Sequence, residues 1–333
     1  MKAMQVTSPK PIEEHPLQMI EKEIPALESN DILVKVRACG VCHTDLHVTE
    51  GDLSLCKYPV IPGHEIVGIV EKRGEKATIH EIGSRVGVAW LYSTCNSCPY
   101  CQQGKENLCN HSKFTGCSID GGFAEYIAVN ESYAYQLPEK YSDLNAAPLL
   151  CAGLIGYRSL KLSELKHGQR LGLFGFGASA HIVLQIAQAW NCETYVFTRS
   201  RNHQEHARSL GATWVGTPHD SPPYLLNSAI TFAPVGEIVP IALRNLDKGG
   251  ILAINAVHLS DIPSLPYESL YYERTIRSVA HTTRSDALEF FKIAEEIDIQ
   301  TEIKEYPLSK ANQALEDLKN SRFSGAAVLR VSE

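Results

Sequence analysis

Four closely spaced cysteines set the tightest limit on how this chain can fold. Residues 95–109 read CNSCPYCQQGKENLC, which places Cys95, Cys98, Cys101 and Cys109 at C-x2-C-x2-C-x7-C spacing. Turns with two residues between cysteines bring sulfurs to neighbouring corners of a tetrahedron, the geometry zinc takes from thiolates. A set of four leaves no open position, so the expected metal is structural and orders the lobe 90–110. Four free thiols in a loop, or an iron–sulfur cluster, are the competing readings. The spacing favours zinc.

The remaining chain narrows the class further. At roughly 150 residues per domain, 333 residues suggest two domains. The formal net charge of −7 argues against a nucleic-acid or anionic-membrane partner, which would want a basic face. No apolar run approaches the ~18 residues of a membrane helix. The opening MKAMQVTSPKPIEEH has no apolar core of a signal peptide, so the expected location is cytoplasmic. There, disulfides are a poor reading of the ten cysteines, and clustered ones bind metal. Cys39, Cys56, Cys117 and Cys192 read as small buried residues without a role.

The hydrophobic rhythm changes near residue 150. Before it lie short β-branched or aromatic runs, Ile32–Ala38, Ile66–Glu71, Arg85–Ala89 and Phe123–Val129, bounded by Gly, Pro or Asn. After it, strands and helices alternate. The strands are Leu171–Phe174, Tyr195–Thr198, Ala229–Phe232 and Gly250–Val257. The helices are a pattern through Ile182, Ile186 and Trp190, then Arg201–Leu210 and Glu237–Leu246. Such alternation implies right-handed crossovers and a parallel sheet. The tail reads as two helices, Ser285–Glu296 and Ser309–Lys319, and a last strand, Ala326–Val331.

Between the first alternating strand and helix, residues 171–180 read LGLFGFGASA. Gly175, Gly177 and Ala180 form a GxGxxA turn. Its glycines permit a tight bend and close backbone approach to a pyrophosphate at a helix N-terminus, and Ala180 permits close helix–strand packing. A site for NAD would carry an acid about 20 residues on, at the end of the second strand. The segment there is Thr198-Arg199-Ser200-Arg201, and no carboxylate lies between Thr194 and Gln204. Two guanidinium groups and two hydroxyls suit a 2′-phosphate. A hydrogen bond to a charged group contributes ~1.5–3 kcal/mol, so the pattern predicts NADP(H) over NAD(H). A solvated helix start is the plainer reading of the two arginines.

A second set of metal-binding types lies in CGVCHTDLH (39–47) and PGHE (62–65). Catalytic zinc uses three protein ligands and keeps a fourth place open. Cys42 and His64 are candidates, with Cys151, just before the first crossover helix, as a third. Taken singly, His64 also reads as a core histidine and Cys151 as a small apolar residue.

Together, GVCHTDLH, PGHEIVGIV, the four-cysteine lobe, DGGFAEY (Asp120–Tyr126) and CAG before a glycine-rich turn resemble the zinc-dependent alcohol dehydrogenases of the medium-chain dehydrogenase family. The resemblance runs in order over essentially the whole chain. Trp90-Leu91-Tyr92 is most similar to microbial ethanol-type members. It implies an α/β fold with a GroES-like β-rich catalytic domain (1–150), a Rossmann doubly wound parallel-sheet cofactor domain (151–281) and a C-terminal return to the first (282–333). Substrate would sit in the cleft between them.

By the same resemblance, Cys42, His64 and Cys151 are the catalytic zinc ligands. Asp45 orients the histidine, and Glu65 is the nearby acid that can approach the metal. Thr44 contacts the reacting oxygen and, through the cofactor ribose, passes its proton to His47, which suits release near neutral pH. Thr44 also reads as the N-cap of the short helix after Cys42. Trp90 projects toward the substrate and narrows the pocket, or is ordinary core. His43 stands where an arginine often meets the pyrophosphate and could still donate to a phosphate. Gly325-Ala326 replaces a Gly-Arg pair, removing one cofactor contact, and Ala178-Ser179 replaces the usual Gly-Leu or Gly-Val. For His258 the two readings are a residue facing the nicotinamide and, the better one, a solvated loop residue. The implied protein is a homodimer or homotetramer with two zinc ions per chain, one catalytic and one structural. It would interconvert small primary alcohols and aldehydes. A polyol or bulky, aromatic-alcohol dehydrogenase, or a non-catalytic zinc- and nucleotide-binding scaffold, are the alternatives.

Overall fold

The computed structural model describes residues 1–332. The chain forms two compact units, one of Met1–Cys151, His281–Glu295 and Gln300 onward, the other of Ala152–Ala280 and Glu296–Ile299.

The first unit is built on a mixed sheet of seven strands. Its order is Ile303–Pro307, Ala326–Arg330, Asp31–Val41, Glu65–Arg73, Arg85–Val88 and Ala134–Gln136, with Tyr126–Asn130 also pairing with Asp31–Val41. Alternate residues Ile32, Val34 and Val36 enter a core shared with Ile66, Val70, Val86, Val88 and Phe123. Ladder pairing sets Gly40 opposite Glu65. The hairpin Lys2–Val6 with Leu17–Glu21, and the strand Ile303–Pro307, have no expectation above. KAMQV and IKEYP alternate weakly, and the second carries charges and a proline.

The expected strand from Phe123 begins later, at Tyr126, because the preceding backbone bonds elsewhere. The amides of Gly121, Gly122 and Phe123 donate to the carbonyls of Ile61, Gly63 and Pro62 at 2.7, 2.8 and 2.9 Å. Nearby lies a correction. Cys56 and Cys117, read as small residues without a role, form a disulfide with their Cα atoms 4.5 Å apart. Compartment-based reasoning describes how often thiols pair across many chains. Here the loop after helix His43–Glu50 is folded onto the turn at Cys117, where the Lys57 amide donates to the Cys117 carbonyl at 3.2 Å. Cys39 and Cys192 are buried free thiols.

The second unit is a six-stranded, wholly parallel sheet in the order Trp214–Gly216, Glu193–Phe197, Arg170–Phe174, Leu226–Thr231, Leu246–Ile254, Thr275–Ser278. Strand order reverses between Arg170–Phe174 and Leu226–Thr231, the point where doubly wound sheets take a nucleotide. Helix Ala178–Ala189 follows the first of these strands. It packs on helix Ala152–Leu162 so closely that a β-carbon at Gly156 would press on Val183. Thr275–Ser278 and Trp214–Gly216 each pair on one side only and are the two edges of this sheet.

Candidate active site

Three distant segments of the first unit meet at one point. Cys42 ends strand Asp31–Val41 and is the N-cap of helix His43–Glu50. The Asp45 carboxylate accepts from the Cys42 amide at 2.9 Å, so Cys42, and not Thr44, caps this helix. His64 follows a turn at Gly63, whose φ of +99° is left-handed, as glycine permits. Cys151 ends the first stretch of the unit. The ligand atoms of Cys42, His64, Glu65 and Cys151 all lie within 4.8 Å of one another.

Asp45 organises this cluster. Its Oδ1 is 2.9 Å from His64 Nδ1 and accepts from the Gly63 amide at 3.0 Å, with both side chains about 1% exposed. This fixes the proton on Nδ1 and leaves Nε2 as the free donor atom, the arrangement of a ligating histidine. Glu65 is buried opposite Gly40, and a β-carbon on Gly40 would overlap its carboxylate. Only glycine leaves room for the acid at this register.

The sulfur geometry can be tested against zinc. A tetrahedron with Zn–S near 2.3 Å has edges of about 3.8 Å. Cys42 and Cys151 Sγ are 3.8 Å apart. The bond to Cys151 and, against the cost of burial, His64 favour the Cys42 thiolate, so Cys42 is held well below the usual thiol range. The same bond, with burial, pushes Cys151 well above it. Two buried sulfurs dividing one proton are what a cation between them relieves.

The four-cysteine lobe passes the same test. Cys95–Cys101, Cys98–Cys101 and Cys95–Cys109 Sγ separations are 3.9, 3.5 and 3.5 Å, and all four sulfurs lie within 4.8 Å. Asn96 adopts φ +55° inside the first two-residue turn, a conformation asparagine tolerates. The amides of Cys98 and His111 donate to the sulfurs of Cys95 and Cys109. Amide donors from Ser97 and Cys98 pull Cys95 down to about 5, while burial and the neighbouring sulfurs push Cys101 up to about 11.

Other candidates fall around the first cluster. Thr44 Oγ1 is 3.8 Å from Cys42 Sγ, and His47, three residues on, shares its helix face. His47 Nδ1 is 2.8 Å from Asp52. His43 is exposed on the first turn. Trp90 stands edge-on to His64, ring centres 5.1 Å apart. In the second unit, Gly175 takes φ +91° to turn the chain, and Gly177 is the N-cap of helix Ala178–Ala189. A β-carbon on Gly177 would meet nothing within 4 Å, so the backbone is bare on the side a pyrophosphate needs. Ala180 is fully buried. Thr198–Arg201 follow strand Glu193–Phe197, with Ser200 capping the next helix. Arg199 and Arg201 are exposed. His258 is exposed as well.

Residues 28–139 match the alcohol dehydrogenase GroES-like domain family. A probable alcohol dehydrogenase of Mycobacterium tuberculosis is 49% identical over 99% of this chain and 97% of its own length. The chain belongs to the zinc-dependent alcohol dehydrogenases of the medium-chain family. Among solved structures, a sorghum cinnamyl alcohol dehydrogenase superposes with a TM-score of 0.89 at 26% identity, covering 99% of this chain and 98% of that one. A cinnamyl-type dehydrogenase from Helicobacter pylori, solved with NADP(H), gives 0.88 at 25% over 99% and 97%. This alcohol dehydrogenase is therefore a zinc- and nicotinamide-dependent oxidoreductase, and the alternative of a non-catalytic scaffold falls away. Among the described residues of this dehydrogenase, no helix is long and apolar enough to cross a membrane.

Some of the surroundings carry no sequence signal. His281 and Phe114 pack against Trp90, and Arg284 grips Glu106 inside the four-cysteine lobe. These pairs join segments more than 20 residues apart with no motif between them.

Proposed function

We propose that this dehydrogenase interconverts small primary alcohols and aldehydes, prefers NADP(H), and holds two zinc ions per chain. The observation that carries the reading is the cluster of Cys42, His64 and Cys151 with Asp45 behind the histidine and Thr44 beside Cys42. Cys42, His64 and Cys151 would hold the catalytic zinc, and Cys95, Cys98, Cys101 and Cys109 the structural one. When bound, zinc supplies the Lewis acidity that lowers the pKa of an alcohol oxygen, and nicotinamide supplies the hydride acceptor. Asp45 keeps His64 in the ligating tautomer. The Thr44 hydroxyl would take the substrate's hydroxyl proton at Oγ1 as it gives up its own toward His47, and His47, a quarter exposed and held by Asp52, would release that proton to solvent. Glu65, buried beside Cys42, serves as the exchangeable acid when the open position changes. Trp90 flanks His64 and limits substrate width.

Gly175, Gly177 and Ala180 would seat the pyrophosphate, with His43 as a further donor. Arg199 and Arg201, with Thr198 and Ser200, would take the 2′-phosphate. Neither guanidinium has an ion-pair partner among the described residues, so both are available. The H. pylori relative was solved with NADP(H). The likeness to cinnamyl dehydrogenases favours a second reading, bulkier aromatic alcohols. We read the protein as a cytoplasmic homodimer or homotetramer. The edge strand Thr275–Ser278 lies in the same unit as exposed Val257, Tyr267 and Tyr271, apolar surface of the kind that pairs subunits.

Initial rates at 340 nm, with ethanol and cinnamyl alcohol and with NADP+ and NAD+ side by side, test the reading. Turnover of ethanol favouring NADP+, with Arg199→Glu raising the NADP+ KM roughly ten- to hundred-fold, is expected. Equal KM values for both cofactors overturn the NADP(H) preference. A cinnamyl-only activity replaces the substrate class, and elemental analysis giving one zinc per chain removes a metal site.

A further inference from the structure

Trp90 is the lowest tier of a larger aromatic stack. Phe114 lies face to face with it, centres 5.0 Å apart and planes 20° apart. The His281 imidazole packs on both, 4.9 Å from Phe114 and 6.3 Å from Trp90. The three rings form one mutually packed cluster, and Trp90 is the member in contact with His64. Phe114 is 7% exposed and serves as backing, while Trp90 and His281 keep accessible surface. All four residues belong to the same compact unit.

His281 is held at this place. Its φ is +54°, a left-handed backbone unusual for a residue other than glycine, in which asparagine, aspartate and histidine are enriched. Residues kept in such conformations concentrate at functional sites, because the surroundings must impose them. Three residues on, Arg284 donates to Glu106 from its backbone amide at 2.8 Å and from Nε at 3.0 Å, and its guanidinium lies 4.8 Å over Tyr133. Thr283 and Asp286 close the start of helix Arg284–Glu296 with reciprocal bonds of 2.8–3.1 Å. The loop carrying the imidazole is pinned immediately after it.

We propose that His281 is a specificity-determining residue, a further tier of the stack begun by Trp90, and that it limits the length of the alcohol accepted beside His64. The proposal rests on the small-alcohol reading above. A chain of two or three carbons lies against the indole, whereas a longer one meets the imidazole. Each excluded methylene changes transition-state binding by roughly ten- to two-hundred-fold at most.

The test uses zinc-replete holoenzyme and the ratio of kcat/KM for 1-hexanol to that for ethanol. His281→Asn keeps a residue that tolerates the left-handed backbone and removes the ring. It should raise the ratio about tenfold or more, through a lower hexanol KM, with ethanol kcat within about twofold. His281→Phe, with a larger ring, should lower the ratio below wild type and carries the test if the asparagine variant fails to fold. An unchanged ratio in the folded variants overturns the proposal. Trp90→Ala separates the two readings. If it raises the ratio and His281→Asn does not, the small-pocket reading stands and the role of His281 falls. If neither moves the ratio, the pocket reading falls with it.

Discussion

The two sulfur clusters of this dehydrogenase have nearly the same internal spacing and opposite origins. In the lobe, four cysteines come from one segment of fifteen residues, and the chain itself closes the tetrahedron. Backbone amides supply the bonds that favour thiolate there. In the other cluster, ligands come from positions 42, 64 and 151, and a buried aspartate orients the histidine among them. A local cluster can order only its own turns. A cluster drawn from distant strands exists only once the sheet has formed, and can therefore spare one corner for a reactant. On the function proposed above, the difference separates a metal that would hold structure from one that would perform chemistry.

The sharpest way to break this comparison is to remove one sulfur from each cluster. Cys42→Ala should lower kcat/KM by at least roughly a thousandfold, since the Lewis acid is lost, while the melting temperature shifts little and zinc falls from two to one per chain. Activity surviving that substitution would falsify the catalytic assignment. Cys98→Ala should do the reverse. Losing a ligand of a structural site removes several kcal/mol of local folding energy, so the melting temperature should fall clearly further than in Cys42→Ala. If the two variants melt alike, the division of labour is wrong.

Smaller changes sharpen it. Asp45→Asn should weaken retention of one zinc about 10- to 100-fold, read by competition with a chelator, and leave the other zinc untouched. A control lies outside both clusters. Asp317 accepts from Tyr306, Gln313, Lys304 and Arg322 at 2.6, 2.8, 3.1 and 3.1 Å. Burial opposes its ionisation, but these four donors overcome it and hold the carboxyl below its usual range. A folded-state pKa below the unfolded ~3.9 contributes stability above that pH and loses it as the pH falls further. Asp317→Asn should therefore cost about 1–3 kcal/mol near neutrality and flatten the acid limb of stability. Denaturant melts between pH 7 and pH 3 would show it, and an unchanged acid limb would remove Asp317 as its source.

What could be read in the sequence follows the same local and non-local division. The four-cysteine lobe, the glycine turn at 175–180 and the strand–helix alternation are short-range patterns, and the structure forms each of them close to the expected bounds. Cys42, His64 and Cys151 were individually ambiguous, and the resemblance, not their spacing, brought them together. The Cys56–Cys117 bond was misread because its sulfurs are 61 residues apart, and their meeting depends on how two loops fold back. His281 carried no sign at all. Its neighbours Trp90 and Phe114 are more than 160 residues earlier in the chain, and nothing in VAHTTR announces an aromatic stack.

Gly40 and Glu65 face each other across one rung of the ladder, and the carboxylate fills the volume that a side chain at position 40 would need. The two positions are therefore a single unit of inheritance. Gly40→Ala alone must displace the acid, and shortening Glu65 alone opens a hole next to the metal ligands. Made together, Gly40→Ala with Glu65→Ser deletes the charge but still sets two β-carbons 2.8 Å apart, so the strands themselves would have to shift. A redesign of this centre for another metal would have to move through that pair, and Glu65→Gln, which keeps the bulk and removes the charge, is how the carboxylate's chemistry can be told apart from its bulk.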